Sequence, residues 1–274
     1  SVELIATSKG ENRVSNMEGY IYRTLDITDY TEVNIILNEE SPDVVINTAA
    51  MTNVDLCEEE NKACTALNVH AVSYLADVCL ACDAHLIHIS TDFIFDGEDG
   101  PYKEDDKPNP LSYYGFSKLK SEEILYKHDV RWTILRTIIV FGVGENLSKS
   151  NIVLWAKRAL EEGEQLNIID DQYRAPTLAE DLADACILAA KKKAYGIYNT
   201  SGKDIMSIYE MVERIGKYYG LDITNLNKIS TSTLNQKAKR PTRTGFILDK
   251  ANSLLDYNPH SFEESLSIVT RQLN

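Results

Sequence analysis

Val44-Val45-Ile46-Asn47-Thr48-Ala49-Ala50 is a short β-branched run, entered through Pro42-Asp43 and left through small residues. It reads as a buried strand that ends in a turn. Beyond it a helical pattern runs from about Asn61 to Ala81, and Ala84 to Ser90 is a second apolar strand. Strand, long helix and strand in that order make a crossover between parallel strands, and such crossovers are right-handed.

The same alternation extends in both directions. Upstream, Val2 to Thr7 and Tyr20 to Leu25 read as strands, and Thr28 or Asp29 caps a helix reaching Glu39. Downstream comes a polar loop holding Gly97, Gly100, Pro101, Pro108 and Pro110, then a helix over Ser112–His128 and a strand over Arg131–Val140. The fold class is therefore α/β, a doubly wound, mostly parallel sheet of the Rossmann type. In such sheets ligands lie beyond the carboxyl ends of the strands. That singles out Ser8-Lys9, Asp26-Ile27, Ala49-Ala50-Met51, Ser90-Thr91-Asp92 and Arg136-Thr137.

After Gly144 the pattern loosens. Helices are expected at Asn151–Glu162, Leu178–Lys192, Ser207–Tyr219 and Ser261–Gln272, with strands at Leu166–Ile169 and Tyr195–Asn199. The expected division is a dinucleotide-binding domain over residues 1–150, with return elements near 178–200, and a smaller substrate lobe over 151–274.

The chain has 274 residues, 43% hydrophobic and 26% charged, enough for one large or two modest domains with a substantial core. A net charge of −14 argues against a general nucleic-acid binder, which needs a basic surface. No apolar run approaches the roughly 20 residues of a membrane helix, and the first residues carry no signal-peptide pattern, so no membrane partner is expected. Five scattered cysteines, Cys57, Cys64, Cys79, Cys82 and Cys186, suggest no disulfide framework. Cys79 and Cys82 share redox-motif spacing, but they lie late in an apolar helix and read as buried thiols. The five histidines do not cluster at metal-ligand spacing, so no metal is expected. A reduced, cytoplasmic protein is the expectation.

Chemistry enters at Tyr114-Gly115-Phe116-Ser117-Lys118. On a helix Tyr114 and Lys118 share one face, about one turn apart. A free phenol has a pKa of about 10, and a nearby ammonium lowers it toward a useful general acid/base.

Further stretches accompany that pair in order: Asn47 to Asp55, Ser90-Thr91-Asp92-Phe93-Ile94-Phe95-Asp96-Gly97, Glu122, Leu135-Arg136-Thr137, Asp171-Gln172 with Pro176-Thr177 and Asp181-Leu182, and Arg240-Pro241 before Leu248-Asp249. Together they resemble the extended short-chain dehydrogenase/reductases, and within that superfamily the dTDP-4-dehydrorhamnose reductases. The resemblance implies nicotinamide-dependent reduction of the 4-keto group of a nucleotide-activated deoxysugar, as in dTDP-rhamnose biosynthesis. Tyr114 would give a proton to the keto oxygen. Lys118 would depress the tyrosine pKa and hold the nicotinamide ribose, and Thr91 would hydrogen-bond the same oxygen and Tyr114. Asp92, Asn151 and Gln172 would contact the sugar, and Arg240 would approach the nucleotide phosphates. Asp26-Ile27 would flank the adenine, with Ala49, Ala50 and Met51 as a small-residue wall along the cofactor. Asn68 matches a family asparagine and reads as helix packing or as part of the site.

Ser8 and Lys9, a hydroxyl and a cation after the first strand, suit a 2′-phosphate, so NADPH is expected, with NADH left open. A homodimer is compatible with the family.

Phe93 stands where the related dehydratases carry a proton-transferring Glu, which favours simple reduction. The reductases usually have Tyr there, a Trp where this chain has Ile139, and a small residue where it has Arg174. The family also opens on a strand and a Gly-rich turn, and this first βα unit is expected to be absent from the chain as given. The regulatory subunit of methionine adenosyltransferase is similar to these reductases, so a non-catalytic binding subunit is the alternative expectation.

Overall fold

The computed structural model describes residues 2–145 and 151–274. In chain order its strands are β1 (Ile5–Ser8), β2 (Ile21–Thr24), β3 (Val44–Asn47), β4 (His85–Thr91), β5 (Trp132–Thr137), β6 (Val140–Phe141), β7 (Leu166–Ile169), β8 (Tyr173–Arg174), β9 (Thr177–Leu178), β10 (Gly196–Asn199), β11 (Met206–Ser207) and β12 (Leu226–Ile229). The helices are α1 (Tyr30–Glu40), α2 (Val54–Glu59), α3 (Asn61–Thr65), α4 (Ala71–Ala81), α5 (Tyr113–Tyr126), α6 (Ile152–Glu161), α7 (Ala179–Lys192), α8 (Ile208–Tyr219), α9 (Asp249–Leu255) and α10 (Phe262–Leu273).

Four parallel strands in the order β10-β5-β4-β3 form the central sheet. β4 is buried along almost its whole length because helices cover both of its faces. Its register pairs Asn47 with His88 on one side and Thr91 with Thr137 on the other. One core joins Leu25, Val33 and Leu37 to Val72, Leu75, Val78, Leu86 and Ile134. On the opposite face Ile87, Leu135, Ala185, Cys186 and Tyr198 meet Ala251, Leu255 and Tyr257. Helix α9 thus packs on the sheet.

β1 and β2 pair only with each other, and no described strand lies between β1 and β3. This two-stranded unit is carried by α1, which packs against α4. Ile46 on the free edge of β3 is half exposed.

The helix expected from Asn61 to Ala81 is continuous but contains a π turn at Ala66–His70. Its length and composition would let it cross a membrane, yet Val72, Leu75, Ala76, Val78 and Cys79 pack in the core instead. The short α2, capped by the Asn53 side chain, precedes it where the hydrophobic pattern gave no signal. The strand expected through Val140 breaks after Thr137, because Ile139 adopts φ 36°. That conformation is costly for a β-branched residue, on the order of 1–3 kcal/mol.

A second core, built on Phe141, Val153, Leu160, Met211, Ile215, Phe262, Leu266 and Val269, holds α6, α8 and α10 together. Ser207 caps α8, and Ser261 with Glu264 forms a reciprocal cap on α10. All five cysteines are free, and burial pushes the Cys79 thiol up to about 12.

Candidate active site

Helix α5 starts where Ser112 accepts a hydrogen bond from the Gly115 N–H. Its first turn presses against the 3-10 turn Asp92–Ile94 that follows β4. Gly115 permits this approach, since a Cβ there would lie 2.1 Å from the Phe93 carbonyl oxygen. Tyr114 is thereby set beside Thr91, whose hydroxyl favours the ionised phenol. Gly115→Ala is expected to force the two segments apart, costing about 1–3 kcal/mol. Urea unfolding measures that loss.

Thr91 accepts from the Phe93 N–H at 3.2 Å and donates to Asp92 Oδ1 at 3.1 Å. Thr91 thus caps the 3-10 turn Asp92–Ile94. Burial raises the Tyr114 phenol above its ordinary value, against the lowering contact from Thr91 and with a further rise from the Asp92 charge. The phenol is thus protonated at neutral pH, the state a proton donor needs. Lys118 is fully buried behind it, donating to the Ile89 carbonyl at 2.6 Å and lying 2.9 Å from His88 Nε2.

Asp92 is buried and linked across the molecule. It accepts from the Thr244 hydroxyl and lies 3.6 Å from the Arg174 guanidinium. Burial lifts its pKa, while Arg174 and Thr244 pull it down. Arg174 also donates to the Pro241 carbonyl at 2.7 Å and covers the Phe93 ring at 5.7 Å. Phe93 in turn meets Tyr114 edge to face at 5.7 Å. The departures at Phe93 and Arg174 are thus one packed unit, and Arg174 supplies the charge that a buried Asp92 requires.

Around this centre the remaining expected residues fall into two groups. Ala49, Ala50 and Met51 follow β3, and both the N–H and the carbonyl of Met51 are bonded by Asn68, at 2.8 and 3.1 Å. Asn68 also donates to Ser117 Oγ at 2.9 Å, so it braces the Met51 backbone against the Tyr114 helix. It sits in the π turn, a helix irregularity frequent at functional sites. Ser8 bonds the Tyr22 hydroxyl at 2.6 Å, and Lys9 pairs with Asp26 at 2.5 Å. Lys9 and Thr28 hold the Asp26 carboxyl down to about 2. Ile27 packs against the core beneath.

In the second group, Asn151 caps α6 and donates to the Gly142 carbonyl at 2.7 Å. Gln172 is buried and donates to Thr231 Oγ1 at 2.9 Å. Arg240 pairs with Asp55 at 2.7 Å, tying the C-terminal loop to α2. Glu122 and Arg136 form a buried two-pronged ion pair, at 3.1 and 2.7 Å, which Ser90 joins at 2.5 Å.

A doubly wound parallel sheet, with Thr91 at the end of a central strand and Tyr114 and Lys118 on the helix packed against it, matches the architecture of an extended short-chain dehydrogenase/reductase. Comparison with known proteins sharpens this. The chain belongs to the family described as RmlD substrate binding domain, whose model matches residues 2–274. It is 32% identical to the dTDP-4-dehydrorhamnose reductase of Aggregatibacter actinomycetemcomitans, over 90% of this chain and 87% of that protein. It is also 34% identical to the methionine adenosyltransferase 2 subunit beta of Danio rerio, over 79% of this chain and 68% of that protein. A solved dTDP-4-dehydrorhamnose reductase from Bacillus anthracis, in complex with NADP, superposes with a TM-score of 0.87 at 26% identity, covering 99% of this chain and 100% of that one.

Proposed function

We propose that this chain reduces the 4-keto group of a nucleotide-activated deoxysugar with NADPH. The observation that carries this reading is Tyr114, protonated and buried beside Thr91 at the carboxyl end of β4. Both hydroxyls would meet one keto oxygen, and Tyr114 has the proton to give it. NADPH, when bound, supplies the hydride. The residues after β3 suit it: Ala49 and Ala50 are small, and Asn68 fixes the adjoining Met51 backbone. Ser8 and Lys9 offer a hydroxyl and a cation for a 2′-phosphate, which would draw Lys9 from Asp26. Lys118 lies one turn behind Tyr114, where the ribose would be held. The packing of Arg174 on Phe93 favours reduction without dehydration, since neither side chain can serve as a second proton acceptor there.

We assign residues 1–150, with the return through α7 and β10, to the dinucleotide, and the lobe after residue 151 to the sugar nucleotide. The test is NADPH oxidation with a dTDP-4-keto-6-deoxysugar, followed spectrophotometrically. Turnover is the expected result. The similarity to methionine adenosyltransferase regulatory subunits supports a second reading, in which the protein acts through contact with a synthetase. Stable co-purification with such a synthetase, together with no NADPH oxidation, would favour that reading.

A further inference from the structure

A chain with a net charge of −14 gathers four cations, Lys237, Lys239, Arg240 and Arg243, within seven residues. They lie on a strap over residues 237–244, and its two halves are held in different ways. The downstream half is tied to backbone near the site. The Tyr173 N–H donates to the Thr242 carbonyl at 2.8 Å, the Thr244 N–H to the Tyr173 carbonyl at 3.1 Å, and Arg174 to the Pro241 carbonyl at 2.7 Å. The last residue, Thr244, donates to Asp92 beside Thr91. The upstream half rests on carboxylates of α2. Asp55 takes Arg240 in a two-pronged pair, at 3.2 and 2.7 Å, and accepts from the Ala238 N–H at 3.0 Å. Glu59, one turn along, pairs with Lys237. A groove of about 420 Å³, lined in part by Asp55, Glu59 and Lys237, opens beside these pairs, so an anion can reach them from solvent.

A guanidinium that forks onto a carboxylate has the geometry that also suits a phosphate. Arg240 lies four residues before Thr244, a span of at most about 14 Å. A sugar whose keto group meets Tyr114 would carry its diphosphate within that distance. The side chains of Arg240 and Asp55 are 17% and 37% exposed, so their pair is partly solvated and only modestly stabilising. A diphosphate brings more charge than one carboxylate and can take the guanidinium from it. Arg240 holds the Asp55 carboxyl below its ordinary range, so this competitor is ionised at neutral pH. We propose that Asp55 and Glu59 form a counter-ion latch: they hold Arg240 and Lys237 on α2 until the diphosphate of a nucleotide sugar displaces them, and Asp55 thereby sets the affinity for that diphosphate. The latch deepens the reductase reading and rests on it for the class of ligand. Loss of the Asp55 charge therefore tightens diphosphate binding, whereas loss of a purely structural pair would weaken it.

Titration calorimetry on the whole protein, at one fixed low salt concentration and without NADPH, tests this with two probes, dTDP and inorganic pyrophosphate. The second probe has no base, so it reports the diphosphate site alone. Asp55→Asn keeps an oxygen for the Ala238 N–H and removes the charge. It should bind both probes about fivefold more tightly than the wild type, the scale of a partly exposed ion pair. Arg240→Gln should bind them at least about tenfold more weakly. In that background Asp55→Asn should gain less than about twofold, because the cation it releases is gone. Unchanged or weaker binding by a folded Asp55→Asn protein overturns the latch. So does a gain that persists undiminished beside Arg240→Gln, which would mark general repulsion, and so does a wild type and Asp55→Asn that both fail to bind either probe. Turnover is read separately: NADPH oxidation with an unmoved dTDP affinity removes the latch alone, and a tightened affinity without NADPH oxidation removes the reductase alone.

Discussion

Tyr114→Phe lowers turnover by about 10²–10⁴ while NADPH binding persists, because the change removes one hydroxyl and leaves the packed ring in place. The ring keeps its edge-to-face contact with Phe93, so the fold should be retained. Single-turnover kinetics with NADPH and a dTDP-4-keto-6-deoxysugar separate the loss in the chemical step from any loss in binding. The effect belongs to the proton. In the wild type, burial holds the phenol protonated across the neutral range. In the variant, Thr91 alone meets the developing oxyanion and has no comparably acidic hydrogen to give. Turnover within threefold of wild type would remove Tyr114 from the proton-transfer role.

The second large effect concerns stability. Glu122→Gln leaves the Arg136 guanidinium buried beside a neutral amide, and loss of one partner from a buried pair costs about 3–5 kcal/mol. Both side chains are essentially inaccessible to solvent, so water cannot take the carboxylate's place. The pair also links α5, which carries Tyr114 and Lys118, to the end of β5. Thermal unfolding of the single variant should therefore begin well below that of the wild type. Replacing both partners, Glu122→Leu with Arg136→Met, should recover most of the loss, since an apolar pair of similar volume carries no stranded charge. A single variant within 1 kcal/mol of wild type in urea unfolding would contradict this account.

Much of the architecture was legible because its cues are local. Val44–Asn47 and the apolar run of β4 have strand composition, and Asp29, Ser112 and Ser261 are capping residues at three helix starts. The Tyr114–Lys118 spacing was visible for the same reason, since one helical turn fixes it. Less visible were features made by distant parts of the chain. Nothing near Asp92 announces Thr244 or Arg174, which reach it from segments far along the sequence. Nothing near Arg240 announces Asp55, its ion-pair partner from a distant part of the chain. His88 alternates along β4 like any strand residue, and only the β3–β4 register brings Asn47 to its side. The π turn at Ala66–His70 has no residue signature, because it arises where Asn68 turns inward to hold Met51.

The packing of α1 on α4 joins the β1–β2 unit to the four-stranded sheet. Lys9 and Asp26 lie on the first of these, while Met51 and Lys118 lie with the second. A dinucleotide spanning both would act as a clasp, raising the stability of the two together by mass action.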